Sequence, residues 1–175
     1  MNTRWLSLDQ QRSWRLFLRA SAQVLEDVNH DLTVSARLSL PEYEVLVRLS
    51  EAPDRVRRMS SLAEDLVHSR SRLTHTVRRL EEAGYVERRN DCEDRRGVNA
   101  RLTDAGYARL EEAAPGHVEA VRGRLVDRLT TEQMSELGRI MAALLDDDEI
   151  DREVARDRPP APAPGRTADG ERRTR

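Results

Sequence analysis

The sequence has no lysine, a single cysteine and few aromatic residues. All 30 basic residues of the 175-residue chain are arginines, and Phe, Trp and Tyr together make up 3%. With one cysteine, no disulfide can form within the chain, which is typical of a reducing compartment. A core that contains few aromatics has to be built mainly from Leu, Val and Ala, which favours packed helices.

Long apolar runs and catalytic patterns are also missing from the sequence. No stretch approaches the 18 apolar residues of a membrane-spanning helix, and the N-terminus lacks the apolar region of a secretory signal. We find no nucleophile–base set, glycine-rich phosphate loop or His/Cys cluster with metal-ligand spacing. We therefore expect a cytoplasmic protein that is not an enzyme and holds no cofactor or metal.

The net charge of −2 gives no global positive field that would attract nucleic acid. Between Ser69 and Arg101, however, the sequence contains nine arginines and six acidic residues, a local excess of three positive charges. Arginine suits phosphate and guanine because its planar fork donates two hydrogen bonds at once. This local surplus makes the segment the candidate nucleic-acid surface.

Apolar residues spaced by three, four and seven predict an amphipathic helix over Leu8–Leu32. Ser39 and Glu42 have the spacing of a capping box, which starts a second helix. Ser69 is a suitable N-cap, and Gly84 a suitable stop, for a further helix between them. In order, the remaining predicted helices cover Ser61–Val67, Arg70–Ala83, Thr103–Leu129 and a last segment that begins after Thr130.

The period changes to two after Gly84, which predicts a β-hairpin. Its strands are expected over Tyr85–Arg89 and Gly97–Leu102, with a polar tip at Asn90–Arg96. Val56–Met59 is interpreted as a short extended connector. Because two strands alone are marginally stable, the hairpin must pack on the helices.

The helix over Arg70–Ala83 separates its faces as a major-groove helix should. Leu73, Val77 and Leu80 fall on one side of the helical wheel. The other side carries hydroxyls near the N-terminus and arginines further on. Short hydroxyls allow close approach to DNA, while arginine reaches base edges or phosphates. The alternative is an ordinary solvated face of an amphipathic helix.

Several short motifs recur in the order found in MarR (multiple antibiotic resistance regulator) proteins. They are Leu62-Ala63, Leu80-Glu81, Gly84 to Arg88, Asp94 to Gly97, and Leu102-Thr103. The segment from Leu62 to Gly106 thus resembles the winged-helix core of that family, and the resemblance extends over about residues 10–147. It implies a mainly α (α+β) fold, a winged helix-turn-helix with a helical dimerisation region.

The resemblance also implies a function and a domain organisation. A homodimer would repress transcription from a pseudo-palindromic DNA operator, and a small aromatic or anionic effector would relieve the repression. Two recognition helices about 34 Å apart would read successive major grooves. The expected regions are an N-terminal dimerisation helix (1–37), the DNA-binding domain (38–102), C-terminal dimerisation helices (103–150) and a Pro-, Ala- and Arg-rich disordered tail (151–175).

The candidate DNA-binding residues lie on the recognition helix and the wing. By the resemblance, Arg96 enters the minor groove and Asp94 braces its guanidinium; a hairpin salt bridge without a DNA role is the alternative. His75 either touches DNA or remains an exposed neutral side chain. The full set is Ser69, Arg70, Ser71, Arg72, Thr74, His75, Arg78, Arg79, Arg88, Asp94, Arg95 and Arg96.

Trp14, Arg15, Phe17 and His117 are the candidate effector pocket. The alternative for the aromatics is dimer core, because helix-spaced aromatics usually pack between helices. The alternative for His117 is a packing role, which we favour. Cys92 near the wing tip would be an oxidant sensor by analogy with some family members. Its acidic neighbours disfavour the reactive thiolate, so we do not expect sensing.

Two other functions remain open from the residues. A winged helix can also serve as a protein-interaction module, although the basic face argues against that. An architectural protein that binds DNA of any sequence would carry the same basic face. Sequence-selective retention of a palindromic duplex, lost as salt rises, distinguishes these possibilities.

Overall fold

The computed structural model describes residues 3–66, 69–90 and 97–154 and shows the mainly α fold that the sequence predicts. The chain divides into two compact units, Met1–Gly138 and Arg139–Arg175. The helices are α1 Leu8–Ala36, α2 Leu40–Glu51, α3 Met59–Asp65, α4 Arg70–Glu82, α5 Asp104–Arg124, α6 Thr131–Ala142 and α7 Asp147–Val154, and the strands are β1 Val56–Arg58, β2 Val86–Asn90 and β3 Val98–Leu102.

The two ends of helix α1 are set by capping residues. The Ser7 hydroxyl accepts from the Gln10 amide at 3.2 Å, and the Gln10 side chain accepts from the Ser7 amide at 2.9 Å. The helix ends at Ala36, and its C-cap Arg37 adopts a left-handed conformation with φ 49°. It therefore extends four residues beyond the predicted end at Leu32.

The main core lies among α1, α2, α3, α4 and the sheet. Residues from all these elements are fully buried, mostly leucine and valine, as the scarcity of aromatics predicts. Each helix and strand buries one apolar face, and these faces meet in a single core. The largest buried side chains are Leu32, Leu46, Leu49, Leu62, Leu73, Leu80, Leu102, Val45, Val77 and Val86.

The sheet has three antiparallel strands in the order β1-β3-β2. Val86 lies opposite Leu102, and Val56 lies opposite Arg101. Residues 56–58, predicted as part of an extended connector, form the third strand, so the predicted sheet of two strands was incomplete. The third strand adds a second row of backbone hydrogen bonds to β3, which a two-stranded hairpin does not have.

Two helix boundaries also differ from the prediction. Helix α3 begins at Met59, with Arg58 as its N-cap, instead of at Ser61. Helix α5 ends at Arg124 instead of near Leu129, because Leu125 leaves the helical region with φ −133°. A 3-10 turn over residues 126–128 follows, and a capping box between Thr130 and Gln133 then starts α6.

Helices α1 and α5 lie side by side and are joined by polar contacts. Arg124 donates to Asp31 at 2.9 and 3.1 Å and to Asp27 at 3.3 Å. The hydrogen bonds from Arg124 lower the pKa of Asp31 below its usual value. At the other end, Arg109 donates to the carbonyl oxygen of Ala36. These contacts fix α5 along the C-terminal part of α1.

The second unit contains a cap that explains its acidic run. The Asp146 side chain accepts from the Glu149 amide at 2.9 Å, and the Glu149 side chain accepts from the Asp146 amide at 3.0 Å. This reciprocal cap starts α7, which continues to Val154, four residues into the segment predicted as tail. Residues 155–175 lie outside the described part of the chain.

Candidate nucleic-acid interface

Helix α4 has the two faces that its sequence predicts. Leu73, Thr76, Val77 and Leu80 are buried against the core. The opposite face is exposed, and it consists of Ser69, Arg70, Ser71, Arg72, Thr74, His75, Arg78 and Arg79. The structure therefore brings eight of the twelve predicted DNA-binding residues together on one accessible helix face.

The N-terminal end of α4 is a compact hydroxyl-bearing surface. The Ser69 hydroxyl accepts from the Arg72 amide at 3.3 Å, which caps the helix, and it lies 3.3 Å from the Ser71 hydroxyl. Thr74 donates to the carbonyl oxygen of Arg70 at 2.8 Å. Because these hydroxyls stay close to the backbone, a ligand can approach the positive end of the helix dipole.

The arginines of this face differ in their contacts within the chain. Arg78 lies 3.0 Å from the His75 Nδ1 atom and 3.7 Å from a carboxylate oxygen of Glu82. Among the described residues, neither Arg70 nor Arg72 forms an ion pair. Arg72 is close enough to Glu44 to oppose the rise that burial causes in the pKa of that carboxyl. These three arginines keep donors that can meet an external anion.

Arg79 lies on the flank of the exposed face and pairs with Glu42 of α2. The distance from Arg79 Nε to the carboxylate is 3.0 Å, and the Glu42 side chain is only 7% exposed. Glu42 also accepts from the amide and the hydroxyl of Ser39 at 2.8 and 2.7 Å. Sequence reasoning found the capping residues but missed this pairing, which fastens α4 to the start of α2.

Arg88 on β2 is likewise held within the chain. It donates to Glu81 of α4 at 2.9 Å through Nε, and these hydrogen bonds lower the pKa of Glu81. The pair joins the recognition helix to the base of the wing. Arg79 and Arg88 thus hold α4 between α2 and the sheet, in addition to any contact they make with DNA.

A groove of about 330 Å³ lies beside the N-terminal half of α4. Arg70 and Thr74 line it on one side, and Arg58 and Ser60 line it on another. Sequence reasoning missed Arg58 and Ser60, although the Arg57-Arg58 pair next to an extended segment was a visible signal. The groove widens the basic surface from α4 toward β1.

The predicted wing contacts cannot be placed. Asp94, Arg95 and Arg96 lie outside the described residues, as does Cys92. The strands that carry the wing are present, with Asn90 paired to Val98 at the last described step of the hairpin. The minor-groove role of Arg96 and the absence of oxidant sensing by Cys92 therefore stay predictions.

The four predicted effector-pocket residues do not meet within one chain. Trp14 and Phe17 stack at 5.9 Å between ring centroids on exposed α1, and Arg15 donates to Gln11.

His117 lies far from this aromatic pair. It adjoins Gly116, which packs against Ser35, eighteen residues from Phe17. At 1.5 Å per residue, that separation is roughly 27 Å along α1. An effector pocket from these residues would need another chain, and it stays a prediction.

His117 occupies a partly buried position on α5. Its ring lies 4.3 Å from the Tyr43 ring, centroid to centroid, and its Nδ1 atom is buried without a hydrogen-bond partner among the described residues. Burial lowers the pKa of His117 below its usual value. The contact connects α5 to α2 next to Glu42.

Neither a metal cluster nor a membrane span emerges from the parts of the chain that the structure describes. Within residues 3–66, 69–90 and 97–154, no three His, Cys, Asp or Glu side chains gather in a way that could hold a metal ion. Over the same ranges no helix combines the length and the hydropathy needed to cross a bilayer. The exposed face of α4 remains the candidate site.

Helix, turn, helix and hairpin in this arrangement define a winged helix-turn-helix protein. The model of the MarR family matches residues 38–98. The crystal structure of Sco3205, a MarR family transcriptional regulator from Streptomyces coelicolor in complex with DNA, is 42% identical with a TM-score of 0.78; the match covers 82% of this chain and 89% of that one. This chain belongs to the MarR family.

Two curated relatives are similar over shorter stretches. PecS of Dickeya dadantii, an HTH-type transcriptional regulator, is 36% identical over 88 residues, which are 49% of this chain and 52% of PecS. Rv2887 of Mycobacterium tuberculosis, an HTH-type transcriptional repressor, is 34% identical over 109 residues, 61% of this chain and 75% of that protein. The chain thus spans about half the length of PecS.

Proposed function

We propose that this protein is a sequence-specific DNA-binding transcriptional repressor that acts as a homodimer on a pseudo-palindromic operator. The observation that carries the proposal is the exposed, arginine- and hydroxyl-bearing face of α4, which stands on a rigid winged-helix base. Sco3205, the 42% identical relative, was crystallised with DNA, and Rv2887 bears the name of a repressor. Both facts support the proposal for this chain.

The base of the site supports DNA binding because it fixes the orientation of α4. Buried Leu73, Val77 and Leu80 hold one side of the helix, and the ion pairs through Arg79 and Arg88 hold its flanks. A protein reads base edges more tightly when its contacting side chains already have their bound conformations in the free protein. Ordering each side chain only on binding would cost conformational entropy. Such a rigid, basic helix face suits a major groove.

The apolar stripe of α1 supports the dimer. Val28 and Leu32 are buried in the chain's own core, but Trp14, Phe17 and Leu25 continue the same stripe and are exposed. A run of exposed apolar side chains on one helix face marks a contact surface. A second copy of the same stripe covers it by two-fold symmetry and places two α4 helices on one duplex.

Selection of bound sequences from random duplex DNA tests the proposal with the full chain. We expect an inverted repeat whose half-site centres lie about 10 base pairs apart, and binding that weakens steeply as salt rises. Retention of all sequences alike would indicate an architectural binder. No retention at low salt would favour a protein-interaction module. Either result would overturn the proposed function.

A further inference from the structure

The exposed face of α4 contains a contact between His75 and Arg78 that fixes the chemistry of both side chains. One terminal nitrogen of the Arg78 guanidinium, Nη2, lies 3.0 Å from His75 Nδ1. The residues are three apart on one helix, so they are neighbours on the same face. The Arg78 Nε atom is 3.7 Å from Glu82, one turn further on.

The direction of this hydrogen bond is decided by the guanidinium. Arginine carries only N–H donors and has no acceptor. In this contact His75 Nδ1 therefore accepts, and the N–H of the imidazole is at Nε2. Through this contact Arg78 selects the tautomer of His75, and the free nitrogen of the imidazole becomes a donor.

The pair therefore presents donors alone to whatever approaches it. The remaining N–H groups of Arg78 and the Nε2–H of His75 lie on an accessible surface, since both residues are exposed. In the major groove guanine offers two acceptors, N7 and O6, and thymine offers O4. Adenine and cytosine each expose an amino donor there. A surface of donors matches guanine and leaves the amino groups of adenine or cytosine unpaired.

We propose that the His75–Arg78 pair is the guanine-reading element of the operator interface, with Arg78 bidentate to one guanine and His75 donating to an acceptor on the adjacent base. This rests on the proposed function and adds to it a base preference and the residues that determine it. His75 is a specificity-determining residue both directly and through Arg78, whose guanidinium it orients.

Holding Arg78 before DNA arrives also favours selectivity. A free arginine side chain samples many rotamers and can reach a phosphate as easily as a base. The contacts to His75 and Glu82 on either side restrict Arg78 to the central line of the helix face. Less rotamer entropy is then lost on binding a base.

The first experiment measures base preference at single positions of the selected operator. We expect one guanine in each half-site whose replacement by adenine weakens binding about 5- to 150-fold, since a bidentate pair discriminates by roughly 1–3 kcal/mol. Replacement by 7-deazaguanine, which lacks N7, should also weaken binding. Inosine keeps N7 and O6, so it should bind like guanine.

Variants of His75 then separate this role from a merely structural one. Glutamine can accept through Oε1 and donate through Nε2, so His75→Gln should retain the guanine-over-adenine ratio. Lysine adds charge but cannot accept from Arg78, so His75→Lys should lose most of that ratio while it still binds random duplex at low salt. Circular dichroism provides the control for folding.

The outcomes distinguish the inference from the function on which it rests. An operator selected without a guanine preference, or a guanine ratio that His75→Lys leaves unchanged, overturns the inference and leaves the proposed function standing. A His75→Gln protein that loses the ratio as fully as His75→Lys also overturns it. If no sequence is selected at all, the proposed function and the inference fail together.

Discussion

Glu42 is a buried carboxylate whose partners come from two helices. It accepts from Ser39 at the start of α2 and from Arg79 on α4, and almost none of its side chain reaches solvent. An arginine of the exposed face is thereby used to hold the helix in place. Residues that share one face in the sequence can therefore have different roles in the structure.

Replacing Arg72 and Arg79 separately should reveal that difference. Arg72→Ala removes a cation free to meet phosphate, so the slope of log affinity against log salt should fall by about one, with stability unchanged. Arg79→Ala leaves the buried Glu42 without its cation and should lower the free energy of unfolding by about 1–2 kcal/mol. DNA-binding titrations at several salt concentrations and urea unfolding measure the two effects. Identical behaviour of the two variants would contradict this assignment.

His117 predicts a dependence of stability on pH. Burial holds its folded pKa below the usual 6.5, so the unfolded chain binds a proton first as the pH falls. The free energy of unfolding should decline as the pH drops through about 6.5, until the folded protein is protonated too. His117→Phe keeps a ring against Tyr43 and removes this titration.

Urea unfolding at pH 7.5 and 5.5 measures the effect. The loss of stability between the two pH values should be smaller in His117→Phe than in the natural sequence. His30→Gln, which replaces an exposed histidine on α1, is the matched control. Equal losses in all three proteins would show that burial of His117 has no energetic consequence.

At the scale of elements, the start of α5 is fitted tightly against the turn that follows α4. A Cβ atom placed on Gly106 would lie 2.1 Å from the carbonyl oxygen of Tyr85. The same carbonyl accepts from the amide and the hydroxyl of Thr103 at 3.1 Å each, so it is fixed in position. Gly84, with φ 76°, makes the turn itself possible.

Two glycines on α5 should respond oppositely to alanine. Gly106→Ala forces the helix away from Tyr85 and should lower the free energy of unfolding by about 1–3 kcal/mol. In the described part of the chain, a Cβ atom placed on Gly123 would have no neighbour within 4 Å beyond the adjoining residues and backbone of its own helix, so Gly123→Ala should raise stability by up to about 1 kcal/mol through helix propensity. Thermal or urea unfolding of the two variants checks the signs. A stable Gly106→Ala would mean that the α5 start can shift freely.

The parts of this fold that local pattern determines were predictable from the sequence. The spacing of Leu73, Val77 and Leu80, with Ser69 before and Gly84 after them, locates α4 to within one residue. Strand β1 escaped notice because three residues carry too little alternation, and its partner Arg101 is far along the chain. The Glu42–Arg79 pair is similarly invisible, since only folding brings α2 to α4.

At the scale of the whole molecule, α1 extends well beyond the core that it helps to form. None of its first twenty residues, 8–27, is buried, whereas Val28, Leu32 and Ala36 are. The aromatic pair Trp14 and Phe17 lies in this uncovered part. A helix of 29 residues would be only partly stable alone without a partner for its apolar stripe.

A double replacement of Trp14 and Phe17 by glutamate should disrupt the homodimer. Charge on the stripe opposes burial, and two lost aromatic contacts per chain should raise the dimer dissociation constant by more than about 10-fold. Val34→Glu is the control, because Val34 is 71% exposed on the opposite face of the same helix. Sedimentation equilibrium measures the mass. A double variant that remains dimeric like the control would place the interface elsewhere.

The uncovered stripe of α1 has a consequence for dosage. If each chain reaches the operator only as one half of a pair, the occupancy at low abundance rises with the square of the amount of protein, not in proportion to it. Halving the number of chains in a cell would then cut occupancy about fourfold in that regime. Because the exposed stripe of α1 makes binding depend on dimerisation, the regulated genes would respond steeply to the amount of this protein.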